Sequence, residues 1–167
     1  PLPPPLDRPY RGCISRDGTT IAILHQDGAT APGTSGSYVQ TWSMASDGTY
    51  ERDATSYSLT VSFHQDTTYF ASDCRLSYSG GVMLVGAPSK SRDEAELPNH
   101  KAYIAVYKRD EAKLGTWHHI GELEANAPET DDYFGDVFDL ASVHDAANDV
   151  FRAVSLDLNM GSVAMFD

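Results

Sequence analysis

An all-β chain built from a repeated unit is what this sequence predicts, on three observations. Short runs rich in β-branched and aromatic residues alternate with turn signals along its whole length, and no long helical pattern interrupts them. The pattern also returns: Tyr69-Phe70 and Tyr133-Phe134 lie 64 positions apart, each closing an acidic, turn-rich segment. Leu59 and Leu123, Cys74 and Phe138, and Leu76 and Leu140 echo one another at the same offset, and Tyr38-Val39-Gln40-Thr41-Trp42 matches Tyr103-Ile104-Ala105-Val106-Tyr107 at nearly the same one. A period of this size marks a supersecondary unit that cannot bury its apolar face alone.

The elements follow in order. Residues 1–9 carry five prolines and predict an extended polyproline II arm, which is excluded from a central strand. A short strand at 13–15 precedes the Asp17-Gly18 turn, and 20–25, 38–44 and 57–63 follow, separated by Asp27-Gly28, Pro32-Gly33 and Asp47-Gly48. Strand 74–77 runs through Ser79-Gly80-Gly81 into 82–86, after which 93–97 could wind one helical turn that Pro98 ends, and the segment reads as a charged surface loop. Strands 102–108 and 116–123 complete that group, and 137–141, 150–156 and 162–166 open the next. Four antiparallel strands per repeat is the plan of a propeller blade. The expected division is an arm at 1–9, a first blade at 10–64, a second at 65–128 and a partial third at 129–167, roughly two and a half blades in all.

Composition narrows the class of partner. The 167 residues are 41% apolar and 10% aromatic, enough for a core, and carry a formal charge of −12. Such a charge repels polyanions, so nucleic acid and anionic membrane surfaces are poor partners, whereas a cationic ligand or calcium fits. No run of 18 apolar residues exists, so membrane insertion is not expected, and no secretory leader pattern is present. The sequence starts at Pro1, which is read as the start of a processed or partial polypeptide. Cys13 and Cys74 form no CxxC pair, which argues against structural zinc. A disulfide between them and two buried thiols remain the alternatives. Cys13 aligns with Arg75 and Cys74 with Gly12, and that one-residue offset, which points side chains to opposite faces of a strand, favours the thiols.

A set of motifs in family order then adds to this reading. Gly86-Ala87-Pro88 follows an apolar strand, and Tyr103 to Arg109, Gly115-Thr116-Trp117, Leu123-Glu124-Ala125 and Asp131 to Gly135 come after it. Over residues 74–140 the chain resembles the FG-GAP repeat, the blade motif of integrin α-subunit propellers and of many secreted proteins. The first repeat keeps only the Asp17-Gly18 turn, and the third keeps Phe134-Gly135 but has Ala153-Val154-Ser155 in place of Gly-Ala-Pro. The resemblance implies an extracellular or lumenal setting, and it implies that Gly86, Ala87, Pro88, Phe134 and Gly135 are packing elements. No Asn-x-Ser/Thr acceptor accompanies it.

Chemistry is sparse. Many such repeats hold calcium in a DxDxDG-like loop. The matching loop here offers Asp145, Asn148 and Asp149 without the right alternation or a turn glycine, so a solvated acidic turn is the plainer reading. His118 and His119 are adjacent in a predicted strand and cannot chelate one metal together. No nucleophile elbow, HExxH helix or phosphate loop occurs, and no cofactor or catalytic residue is expected. Even four blades would need about 256 residues at this spacing. Uncovered blade faces therefore predict other protein chains as partners. The expected function is a non-enzymatic module for protein or glycan recognition or for scaffolding, with Trp42, Tyr103, Tyr107 and Trp117 as candidate contacts, each of which core packing would equally explain. The rivals are the propeller body of an extracellular hydrolase or lyase whose active site lies elsewhere, and a calcium-dependent adhesion domain.

Overall fold

Three antiparallel sheets laid against one another in chain order make up the computed structural model, which describes residues 8–26, 38–53, 72–87, 103–110, 112–113, 115–124, 137–145, 148–157 and 162–166. The first sheet holds β1 (Arg8–Ile14), β2 (Thr20–Gln26), β3 (Tyr38–Met44) and β4 (Tyr50–Arg52), in that spatial order. β5 (Cys74–Leu76), β6 (Val82–Ala87), β7 (Tyr103–Arg109) and β8 (Trp117–Glu124) form the middle sheet. The third contains β9 (Phe138–Asp145), β10 (Asn148–Asp157) and β11 (Ser162–Phe166). Each strand pairs antiparallel with its neighbour in the chain, so every sheet is a meander.

The middle sheet is covered on both sides, which explains why β6 and β7 read as nearly continuous apolar runs. All six residues of β6 are buried, but strand alternation sends them to two destinations. Met83, Val85 and Ala87 join Tyr103, Ala105, Tyr107, Cys74 and Leu76 in a core shared with Ala22, Leu24 and Val39 of the first sheet. Val82, Leu84, Ile104 and Val106 pack instead with Phe138, flanked by Leu123 and Leu140. The face of each sheet toward the next in the chain is its front, and the opposite face its back.

Successive sheets are copies at the level of single hydrogen bonds. In the β1–β2 turn the Gly18 amide donates to the Ser15 carbonyl at 2.9 Å and the Thr20 amide to Ser15 Oγ at 2.9 Å. In the β5–β6 turn the Gly80 amide donates to the Ser77 carbonyl at 3.0 Å and the Val82 amide to Ser77 Oγ at 3.0 Å. Gly18 and Gly80 have φ of 75° and 70°, a backbone region that side-chain-bearing residues rarely enter. The second turns correspond too: Ala45 donates to Thr49 as Asp110 donates to Thr116, and Met44 donates to Thr19 as Arg109 does to Gly81. Ser15 thus corresponds to Ser77, Met44 to Arg109 and Tyr50 to Trp117.

Two local expectations are corrected, and the strand that the structure adds to the first sheet is one the sequence did not announce. Arg8 and Pro9 belong to β1, not to a free arm. The sheet tolerates this because β1 is an edge strand and its register slips between Pro9 and Arg11, where proline has no amide to donate. The fourth strand of the first sheet is Tyr50–Arg52, paired with β3 directly after the Asp47-Gly48 turn. The predicted strand at 57–63 lies outside the described residues. The segment 143–150, read as an acidic loop, is largely ladder: Asn148 pairs with Asp145, Asp149 with His144 and Val150 with Val143. Asp145, Asn148 and Asp149 thus belong to the paired ends of β9 and β10, and their side chains lie outside the described residues.

Candidate functional site: the back of the first sheet

The front of the first sheet is joined to the middle sheet by a polar clasp at the short-turn end. Arg109, at the end of β7, donates through Nη1 to Thr20 Oγ1 at 3.0 Å and through Nη2 to Ser43 Oγ. Ser43 Oγ donates in turn to Asp53 Oδ1 at 2.6 Å, and Asp53 is buried. The guanidinium stands 6.0 Å from the Trp117 ring centroid, and Trp117 Nε1 donates to Thr41 Oγ1 at 3.1 Å. Close approach of the turns is enforced by Gly80, where a Cβ would collide with the Thr20 side chain. This cation, bonded to hydroxyls of which Ser43 is backed by the buried Asp53 carboxylate, ties the first and middle sheets together at this end.

Midway along the same contact Cys13 and Cys74 form a disulfide, with Cα atoms 5.9 Å apart. The offset that favoured free thiols is real. Its consequence is the reverse, because in sheets stacked front to back the front of one meets the back of the next. Residues on opposite faces at equivalent positions are the ones that can pair.

This geometry removes three of the four aromatic candidates from any contact surface. Tyr103 and Tyr107 are buried, as is Trp117, all in the core between the first two sheets. Burial beside Tyr103 and Glu122 pushes the Tyr107 phenol well above its ordinary value. Trp42 differs, being half-buried on the back of the first sheet. Gly86 and Ala87 are buried at the end of β6, where Gly86 exchanges backbone bonds with Ser72 and Asp73. Pro88, Phe134 and Gly135 lie outside the described residues.

The back of the first sheet is the least covered apolar surface described. Ile14 is 56% exposed, Met44 39% and Tyr50 36%, with half-buried Ile21, Ile23 and Trp42 between them. Register puts them on one face: Ile14 lies opposite Ile21, which lies opposite Trp42, and Met44 lies opposite Tyr50. The sequence offered a signal for this surface that composition hid. Ile14 stands one repeat before Leu76, and Ile21 and Ile23 stand before Met83 and Val85, all three of them buried.

Chemical groups are spread out. His118 is solvated, with Nε2 3.2 Å from Asp110 Oδ2, and that bond holds the Asp110 carboxyl below its usual range. His119 packs against Tyr107, with centroids 5.4 Å apart. Among the described residues no group of three His, Cys, Asp or Glu is placed to hold a metal ion, and no helix is long and apolar enough to cross a membrane. Neither a protein-family model nor a curated protein matches this chain.

Proposed function

We propose that the chain is a run of FG-GAP-like blades acting as a non-enzymatic module for protein recognition or scaffolding. The observation that carries the reading is the front-to-back order of the sheets. The middle sheet is buried on both faces, whereas the back of the first sheet, built from equivalent positions, leaves Ile14, Met44 and Tyr50 partly open to solvent. A repeat array with an uncovered apolar face gains most by covering it with protein. Other protein chains are the partners this reading expects. The Cys13–Cys74 bridge supports an extracellular or lumenal setting, where disulfides persist.

The native particle containing this chain, isolated without denaturant, tests the proposal through light scattering and intact mass spectrometry. A stoichiometric protein assembly, or a longer polypeptide that covers the face, is the expected result. An isolated 18.2 kDa monomer would overturn it.

A further inference from the structure

We infer that the Cys13–Cys74 disulfide is a redox latch: a small thiol attacks it at Cys13, and the contact between the first and middle sheets then opens about the Arg109 clasp. The inference goes beyond the recognition role proposed above and does not depend on what covers the outer face.

The contact is fastened at two separate places. The disulfide joins β1 to β5, the first strands of their sheets. The clasp joins β2 and β3 to Arg109 of β7 and Trp117 of β8, at the short-turn end. A backbone bond from the Asp17 amide to the Tyr78 carbonyl, at 3.1 Å, ties the first turns of the two sheets at that same end. Toward the other end the sheets meet through Leu24, Val39, Val85, Ala87 and Tyr103, with Arg11 Nη1 standing 3.7 Å from Asp73 Oδ1 beside them. Cutting the sulfur–sulfur bond removes the covalent tie and leaves the turn end bonded, which is the geometry of a hinge.

Such a contact also holds without a covalent bond. One repeat later the same slot is filled by Arg75 and Phe138, and there the sheets pack through apolar side chains and a guanidinium 5.6 Å from the ring centroid. Of two equivalent joints, the first therefore answers to the thiol balance of its surroundings and the second does not.

The two sulfurs are unequal. Cys13 lies on an edge strand and is half-buried, whereas Cys74 is fully buried in the core. A thiolate arriving from solvent meets Cys13 first. It bonds to Cys13 Sγ as the sulfur–sulfur bond breaks; the electron pair of that bond leaves on Cys74, whose thiolate takes a proton from water. A second thiol then displaces the first from Cys13 as a symmetrical disulfide, so two thiols are oxidised and both cysteines are reduced. Opening bares the apolar seam between the sheets, with Cys74 in it.

Substoichiometric glutathione added to the purified, oxidised 167-residue chain, quenched in acid and mapped by mass spectrometry, tests the order of attack. The adduct is expected on Cys13, and an adduct on Cys74, or equally on both, overturns that order. Opening is read on the fully reduced chain without denaturant, by the rate at which iodoacetamide alkylates Cys74. That rate should fall within about a hundredfold of the Cys13 rate, with circular dichroism and tryptophan emission unchanged. Arg109→Met removes the hinge, so reducing that variant should add a red shift of the Trp117 emission that its oxidised form does not show. A Cys74 that stays unreactive on this scale means that the contact remains shut and overturns the latch. A reduced chain that loses its circular dichroism overturns it as well, by making the bond a support of the whole fold.

Discussion

The two contacts between sheets fill the same slot with different chemistry. Between the first and middle sheets it holds the Cys13–Cys74 disulfide. One repeat later the corresponding residues are Arg75 and Phe138, and there the guanidinium lies 5.6 Å from the ring centroid while Nε reaches Asp139 Oδ1 at 3.3 Å. The first contact adds a hydroxyl-backed arginine clasp. The second is a plain apolar core of Val82, Leu84, Ile104, Val106 and Phe138 edged by an ion pair whose carboxylate is 84% exposed. Backbone geometry thus fixes where a joint must be made and leaves its chemistry free. The first contact should tolerate less change than the second.

The largest expected effect separates the two at once. Cys13→Ser with Cys74→Ser, or reduction of the wild-type chain, frees a loop with a sequence separation of 61 and should lower stability by about 4 kcal/mol in a urea titration. Arg109→Met comes next, leaving Thr20 and Ser43 without their donor, and should cost about 2 kcal/mol. Its partner experiment is Arg75→Met in the other contact, where solvent screens the pair and the loss should stay below about 1 kcal/mol. If Arg75 proves as costly as Arg109, the contrast between buried clasp and exposed edge is lost.

Titration sharpens the same contrast. The Tyr107 phenol, inside the first contact, is raised, so its contribution is fully present below the ordinary tyrosine value of about 10 and is lost as pH rises beyond it. Alkaline unfolding that moves to higher pH in Tyr107→Phe is the expected signature. Asp47 and Asp110, in exposed turns, are depressed by bonds from Thr49 and His118, so their support is present above about pH 4 and fades as pH falls through their lowered values. Asp110→Asn should flatten that acid limb only slightly, the smallest effect of the series.

Much of this was legible in the sequence, and the misses have particular causes. Strand 38–44 is a seven-residue alternating run rich in β-formers, and its boundaries agree with those of β3. β4 escaped notice because three exposed residues have no buried face to imprint a pattern. The cysteine offset was read correctly and interpreted within one sheet, whereas the contact is between sheets. The Arg109 clasp had no local signal, because its partners lie 66 and 89 residues away. Of the aromatic candidates only Trp42 lies on the uncovered face. Ile14 and Met44 became visible once the repeat could be aligned by its turn hydrogen bonds instead of by residue identity.

The disulfide also divides the chain mechanically. Tension applied on either side of Cys13 and Cys74 passes through one sulfur–sulfur bond and bypasses everything enclosed between them, so β2, β3 and β4 bear no load until that bond is cut. A pulling device would feel the middle and third sheets yield first, and the hidden length of the first sheet would be released only after reduction.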